Sequence, residues 1–145
     1  MESHAAIGLG ALDDLIGYHL RRADNVFSAD FARVLEGRGV RQVPFGILSI
    51  VATNPGIHQG GVGRSLGIQR ANMVALINEL VEAGLLERRV APEDRRAFAL
   101  FLTEKGAATY QECRARLIQH ESDLLVGLSD VERQILITLL RRLAV

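Results

Sequence analysis

Two stretches of alternating residues, Leu86-Glu87-Arg88-Arg89-Val90 and Phe98-Ala99-Leu100-Phe101-Leu102, interrupt a chain whose apolar positions otherwise repeat at helical spacing. Period-two patterning is the mark of a strand. Of the seven residues between them, the six of Ala91-Pro92-Glu93-Asp94-Arg95-Arg96 include a proline suited to the second position of a turn. The chain therefore predicts one hairpin with a charged tip. An isolated hairpin is marginal in water, so this one has to lie against helices. The fold class that follows is mainly α with a small β-hairpin appended.

The helices are legible from spacing. Leu9, Leu12, Ile16, Leu20, Ala23, Phe27, Phe31 and Val34 recur at intervals of three and four. This predicts one helix over 9–35, roughly 40 Å long at 1.5 Å per residue, ended by Gly37 and Gly39. It is long for so small a chain, and part of its stripe is expected to pack on a second copy. A second helix opens near Pro44, carries Phe45, Leu48, Ile50 and Val51, and stops at Asn54-Pro55-Gly56. Ile57-His58 suffices for one pair of sheet residues. A short, glycine-rich helix over 59–66 and a break at Gly67-Ile68-Gln69 lead to a better helix, Arg70 to Ala83. The inner face of that helix is Met73, Leu76, Ile77 and Leu80, and Gly84 stops it. After the hairpin, Thr103 caps a helix striped with Tyr110, Cys113, Leu117 and Leu124, ended by Gly127. Ser129-Asp130-Val131-Glu132 is a capping box opening a last helix. Its Ile135, Leu136, Leu139, Leu140 and Leu143 cover so wide a face that partners on more than one side are expected.

A short helix bracing a second one, followed by a hairpin, is the winged helix-turn-helix arrangement. The second helix then stands out from the body and has the width that fits the major groove of B-DNA. If Met73, Leu76, Ile77 and Leu80 face inward, Gln69, Arg70, Asn72, Ala75 and Asn78 face outward. Gln, Arg and Asn carry the donor and acceptor geometry of base-edge contacts. Arg95 and Arg96 fall at the hairpin tip, where arginine is drawn to the minor groove. Asp94 is spaced to hold the Arg96 guanidinium. Arg88 and Arg89 are expected to touch phosphate or water rather than bases. Gly63 falls where the two short helices must approach closely.

Composition neither compels nor forbids this reading. Acidic and basic residues number 17 each, for a net charge of zero, whereas nucleic-acid binders usually carry a basic excess. All but one of the basic residues are arginine. Arginine suits bidentate contacts to phosphate and guanine, although a coding bias explains the excess equally well. No apolar run approaches the roughly 20 residues that span a bilayer, and no secretory leader is evident. Cys113 is the single cysteine, and as part of an apolar stripe it reads as a buried structural thiol in a reducing cytoplasm. His4, His19, His58 and His120 are scattered without ligand spacing, and no HExxH, Cys-x-x-Cys or nucleophile-elbow pattern occurs. No catalytic residue, metal site or cofactor is expected.

Residues 57–106 resemble the winged-helix core of the MarR family of bacterial regulators. The resemblance rests on Val62-x-x-x-Leu66-Gly67-Ile68, on Leu76-Ile77-x-x-Leu80-x-x-x-Gly84-Leu85, and on Asp94-x-Arg96-x-x-x-Leu100-x-Leu102-Thr103-x-x-Gly106. The last is the most specific, since it ties the wing to the helix that follows. The resemblance implies a homodimer joined through its N- and C-terminal helices: dimerisation segments over 1–42 and 104–145 and a DNA-binding unit over 43–103. It implies binding to a pseudo-palindromic double-stranded operator, more often as repressor than activator. Release by a small molecule, such as an aromatic acid or its coenzyme A thioester, is also implied. The recognition helix departs from many relatives in carrying Val74 and Ala75, either of which could meet a thymine methyl group. An effector pocket between the first, second and fifth helices would use His19 or Arg22 against a carboxylate or phenol, with Phe45 as a wall. The alternative is a protein-interaction dimer that keeps the fold without binding DNA, motivated by the zero net charge and the Val74-Ala75 surface.

Overall fold

The computed structural model describes residues 7–91 and 93–144, and for residues 91 and 94–97 the backbone alone. A 3-10 turn at Gly10–Asp14 precedes α1 (Ile16–Val34), α2 (Gln42–Thr53), β1 (Ile57–His58), α3 (Gln59–Leu66) and α4 (Arg70–Glu82). Then come β2 (Leu86–Ala91), β3 (Asp94–Leu102), α5 (Glu104–Leu124) and α6 (Asp130–Leu143). The sheet has the order β1-β3-β2, antiparallel throughout, with Arg88 opposite Leu100 and Ile57 opposite Leu100 on its other side. No helix among the described residues is long and apolar enough to cross a membrane.

One core joins the middle of the chain. Ile47, Leu48 and Val51 of α2, Val62 of α3, Met73, Ile77 and Leu80 of α4, Leu100 of β3 and Cys113 of α5 are buried together. Burial pushes the Cys113 thiol above its usual 9.0. The wing is locked to α5 at one joint. The Thr103 hydroxyl donates to the Gly84 carbonyl at 2.6 Å and accepts from the Gly106 amide at 2.9 Å. A Cβ on residue 106 would overlap the Leu85 carbonyl oxygen, so only glycine lets α5 start against that loop. The spacing Leu102-Thr103-x-x-Gly106 is thus a packing joint between wing and helix.

α1 and α6 contribute no fully buried residue. Ile16, Leu20 and Val26 on α1, and Val131, Ile135, Leu136, Leu139, Leu140 and Leu143 on α6, are exposed. These are the two apolar faces that spacing alone could not pair within one chain.

Three expectations change. The helix predicted over 9–35 is broken: Leu15 has ψ 111°, and i→i+3 bonds from Leu12 to Leu9 and from Leu15 to Leu12 make the first segment a 3-10 turn. His19 Nε2 lies 2.7 Å from the Asp13 carbonyl oxygen. The wing is longer and its tip shorter than predicted. β2 and β3 extend to Ala91 and Asp94, with a register shift between Val90 and Ala91, so residues 94–96 belong to a strand. α5 ends at Leu124, before Gly127. Pro44 sits in the third position of α2, within the first turn whose amides have no helical partner in any case.

Candidate nucleic-acid interface

The placement of α4 starts with glycine. Gly67 closes α3 in the left-handed region, with φ +65°, and the Ile68 amide donates to the Gly63 carbonyl at 2.9 Å. A Cβ at Gly63 would lie 2.9 Å from Met73 Cγ and 3.2 Å from the Ile68 carbonyl oxygen. The absence of that Cβ sets how closely α3 braces α4, as the sequence predicts. Met73, Ile77 and Leu80 are then buried, Leu76 is half-buried, and Gln69, Arg70, Asn72, Val74 and Ala75 are exposed on the opposite side. Val74 is 43 % exposed, which leaves an apolar spot amid the polar face.

Asn78 is half-buried rather than freely projecting, and its side-chain oxygen accepts from Arg88 Nη1 at 2.8 Å. Glu79, one residue on, binds Arg41 at the start of α2 through both carboxylate oxygens, at 2.9 and 2.8 Å. The face of α4 open to a ligand is therefore its N-terminal half.

Strand alternation separates the two arginines of β2. Arg88 shares a face with Phe98 and Leu100, and its guanidinium lies 5.7 Å from the Phe98 ring centre. Arg89 points to the other face, lies 4.2 Å from the Phe101 ring centre, and binds Glu87 at 3.1 and 3.2 Å. The Arg89 guanidinium holds the Glu87 carboxyl below its ordinary value. The side chains of Asp94, Arg95 and Arg96 lie outside the described residues, so their expected contacts stand as expectations.

Between α3, α4 and the wing lies a cleft of about 670 Å³. Arg64, Arg70 and Arg88 line it together with Gly60, Gly61, Gly63, Val74 and Phe98, and no described carboxylate does. At its rim, Glu93 in the hairpin connection sits 3.4 Å from His58 Nε2. A chain with zero net charge has thus gathered three arginines beside an exposed helix, with no carboxylate among the described lining. That local field, not the sum, is what a polyanion meets.

A second cavity, about 440 Å³, opens between α1, α2 and α5. Phe27, Phe31, Phe45 and Tyr110 wall it, and Ser49, Arg114 and His120 are among its polar lining. Phe45 and Tyr110 stack at 5.7 Å, and Ser49 Oγ lies 3.4 Å from the Tyr110 hydroxyl. Phe45 is where the sequence reading expects a wall. His19 and Arg22 do not line the cavity within the protomer. His19 is eight residues before Phe27, about 12 Å along a helix axis, and its ring meets Tyr18 and the Asp13 carbonyl instead. Phe27, Phe31 and Tyr110 are in the sequence stripes, where they read as core; a stripe does not distinguish a packed aromatic from one that walls a void.

Comparison with known proteins agrees with this architecture. Residues 39–97 match the model of the MarR family. A transcriptional regulatory protein assigned to the hcr operon of Thauera aromatica is 33% identical over 135 residues, covering 92% of this chain and 81% of the relative. The transcriptional repressor CouR bound to a 23-mer DNA duplex superposes with a TM-score of 0.89 at 32% identity, covering 97% of this chain and 100% of that one. CouR from Rhodococcus jostii RHA1 bound to p-coumaroyl-CoA superposes with a TM-score of 0.84 at 27% identity, covering 93% and 95%. With its braced α4, its wing and relatives matching along nearly its whole length, the chain belongs to the MarR family of transcriptional regulators.

Proposed function

We propose that this regulator represses transcription as a homodimer whose two α4 helices enter successive major grooves of a pseudo-palindromic operator. The observation that carries this reading is the arginine-lined cleft, free of described carboxylates, beside the exposed N-terminal half of α4. Gln69, Arg70, Asn72, Val74 and Ala75 would meet the groove, and Arg95 and Arg96 of the wing, oriented by Asp94, the neighbouring backbone or minor groove. Residues 43–103 form the DNA-binding unit, and 1–42 and 104–145 the segments that join two protomers. The exposed apolar faces of α1 and α6 support that division. Two recognition helices related by a twofold axis would be spaced by about one helical turn, roughly 34 Å. The three arginines of the cleft weigh against a fold that has given up DNA, the alternative motivated by zero net charge and the Val74-Ala75 surface.

The cavity between α1, α2 and α5 is the effector site in this account. Its four aromatic walls suit a flat ring, and Ser49, Tyr110, Arg114 and His120 offer partners for a phenol or an acyl group. CouR bound to p-coumaroyl-CoA supports an aromatic acid or its coenzyme A thioester as the ligand class. Because the cavity lies between α1, which carries one of the exposed apolar faces, and α2 and α5, occupancy would favour a dimer whose α4 spacing no longer fits the operator. The test is fluorescence anisotropy with a duplex from the DNA flanking the chain's own gene, titrated with and without p-coumaroyl-CoA and free aromatic acids. Binding that falls steeply with salt, and release by one of these ligands in wild type but not in Phe45→Ala, supports the reading. No binding at low salt refutes it.

A further inference from the structure

We infer that Arg88 is a DNA-backbone contact in its own right and that Asn78 is its positioning residue, not a reader of bases. The inference rests on the DNA-binding reading above. β2 carries two adjacent arginines whose charges are handled in opposite ways. Arg89 is spent on Glu87, with bonds at 3.1 and 3.2 Å, on the face away from the cleft. Arg88 faces the cleft and is held by a neutral partner, the Asn78 side-chain oxygen, at 2.8 Å. A carboxylate at that distance would orient the guanidinium and cancel its charge. An amide orients it and leaves the charge intact. The Phe98 ring, 5.7 Å away, adds a second restraint without a countercharge.

A guanidinium has five N–H donors, and one bond to Asn78 leaves four for another acceptor. Arg88 forms no ion pair with a described residue and shares the cleft with Arg64 and Arg70. Its place at the root of the wing, behind the projecting half of α4, suits a phosphate running past the groove edge rather than a base within the groove. For Asn78 the consequence is opposite to the sequence expectation. Bidentate reading of adenine needs both the amide oxygen and the amide nitrogen, and the oxygen is already engaged by Arg88.

The experiment is a double-mutant cycle on the full chain, using the duplex flanking its own gene and an unrelated duplex of equal length. Arg88→Gln is expected to weaken both duplexes alike, by about tenfold, and to make the salt slope shallower by about 1. Asn78→Ala is expected to weaken both by a smaller factor, about threefold, with no change of preference among base-substituted duplexes, and to add nothing once Arg88 is Gln. Asn78→Asp keeps the acceptor but neutralises the arginine, and is expected to bind more weakly than Asn78→Ala. Thermal unfolding of each variant verifies that the fold is intact. A changed base preference in Asn78→Ala, or a loss that multiplies with that of Arg88→Gln, overturns the inference and leaves DNA binding standing. Wild-type protein that binds neither duplex overturns both.

Discussion

At two positions a single methyl group decides whether the DNA-facing elements can assemble. At Gly106 the obstacle is backbone, the Leu85 carbonyl, which cannot turn aside. Gly106→Ala should therefore cost at least the 1–3 kcal/mol typical of overpacking, about 3 kcal/mol, read by urea unfolding. At Gly63 the Cβ would press on Met73 Cγ at 2.9 Å and the Ile68 carbonyl oxygen at 3.2 Å, contacts less severe than the overlap at Gly106, so Gly63→Ala should cost less, about 1 kcal/mol, yet weaken DNA binding by moving α4. Equal costs at the two sites would contradict this distinction. The residues expected to touch DNA divide by what they touch. Asn72 is exposed on the projecting half of α4, and Asn72→Ala should change which bases are preferred. Arg96→Ala should weaken all duplexes alike and flatten the salt dependence by about 1. Anisotropy over a panel of single-base variants separates the two patterns, and a base-specific effect of Arg96→Ala would reverse the assignment.

Among elements, those that bury one face were legible in the sequence. α4 and β3 announced themselves because Met73, Ile77, Leu80 and Leu100 must alternate correctly to reach one core. The far half of the wing was not legible. Residues 94–96 are all charged, so their sequence offers no apolar alternation to reveal a strand. The break at Leu15 was hidden for a different reason. A 3-10 turn and one extended residue can carry an apolar stripe nearly in line with a helix, and spacing counts residues, not bonds. In the candidate site the outward residues of α4 were legible from helical phase, but the engagement of Asn78 by Arg88 was not, since it joins a helix to a strand ten residues away. The start of α6 was read correctly because a capping box is local chemistry. The Ser129 hydroxyl accepts from the Glu132 amide at 3.3 Å, and the Ser129 amide donates back at 2.8 Å. Ser129→Ala should cost about 1 kcal/mol in thermal unfolding. The Ser129 amide holds the Glu132 carboxyl below its ordinary 4.5. A lowered folded value stabilises above 4.5 and ceases to do so as pH falls through it. The stability gap between wild type and Glu132→Gln should thus be full near neutrality and close in acid; a gap that widens in acid would contradict the cap.

For the whole molecule the decisive feature is what one chain leaves uncovered. Val131 is 70 % exposed and Leu143 63 %, at opposite ends of α6, with Ile135 and Leu139 about half exposed between them. Burying such side chains stabilises by about 1.5–3 kcal/mol each, enough together to hold two protomers. Leu139→Glu should shift sedimentation from dimer to monomer and abolish tight operator binding while α4 and the wing stay folded; a dimer that persists would move the interface elsewhere. In the proposed dimer each α4 would cover one half-site, and the twofold axis would fix the spacing to the next. Hydroxyl-radical footprinting of the DNA flanking the gene tests that geometry most directly. A twofold dimer on the operator predicts two protected patches about one helical turn apart, both lost when Arg70 is replaced by Ala. One patch alone, patches at another spacing, or no protection at low salt would contradict it.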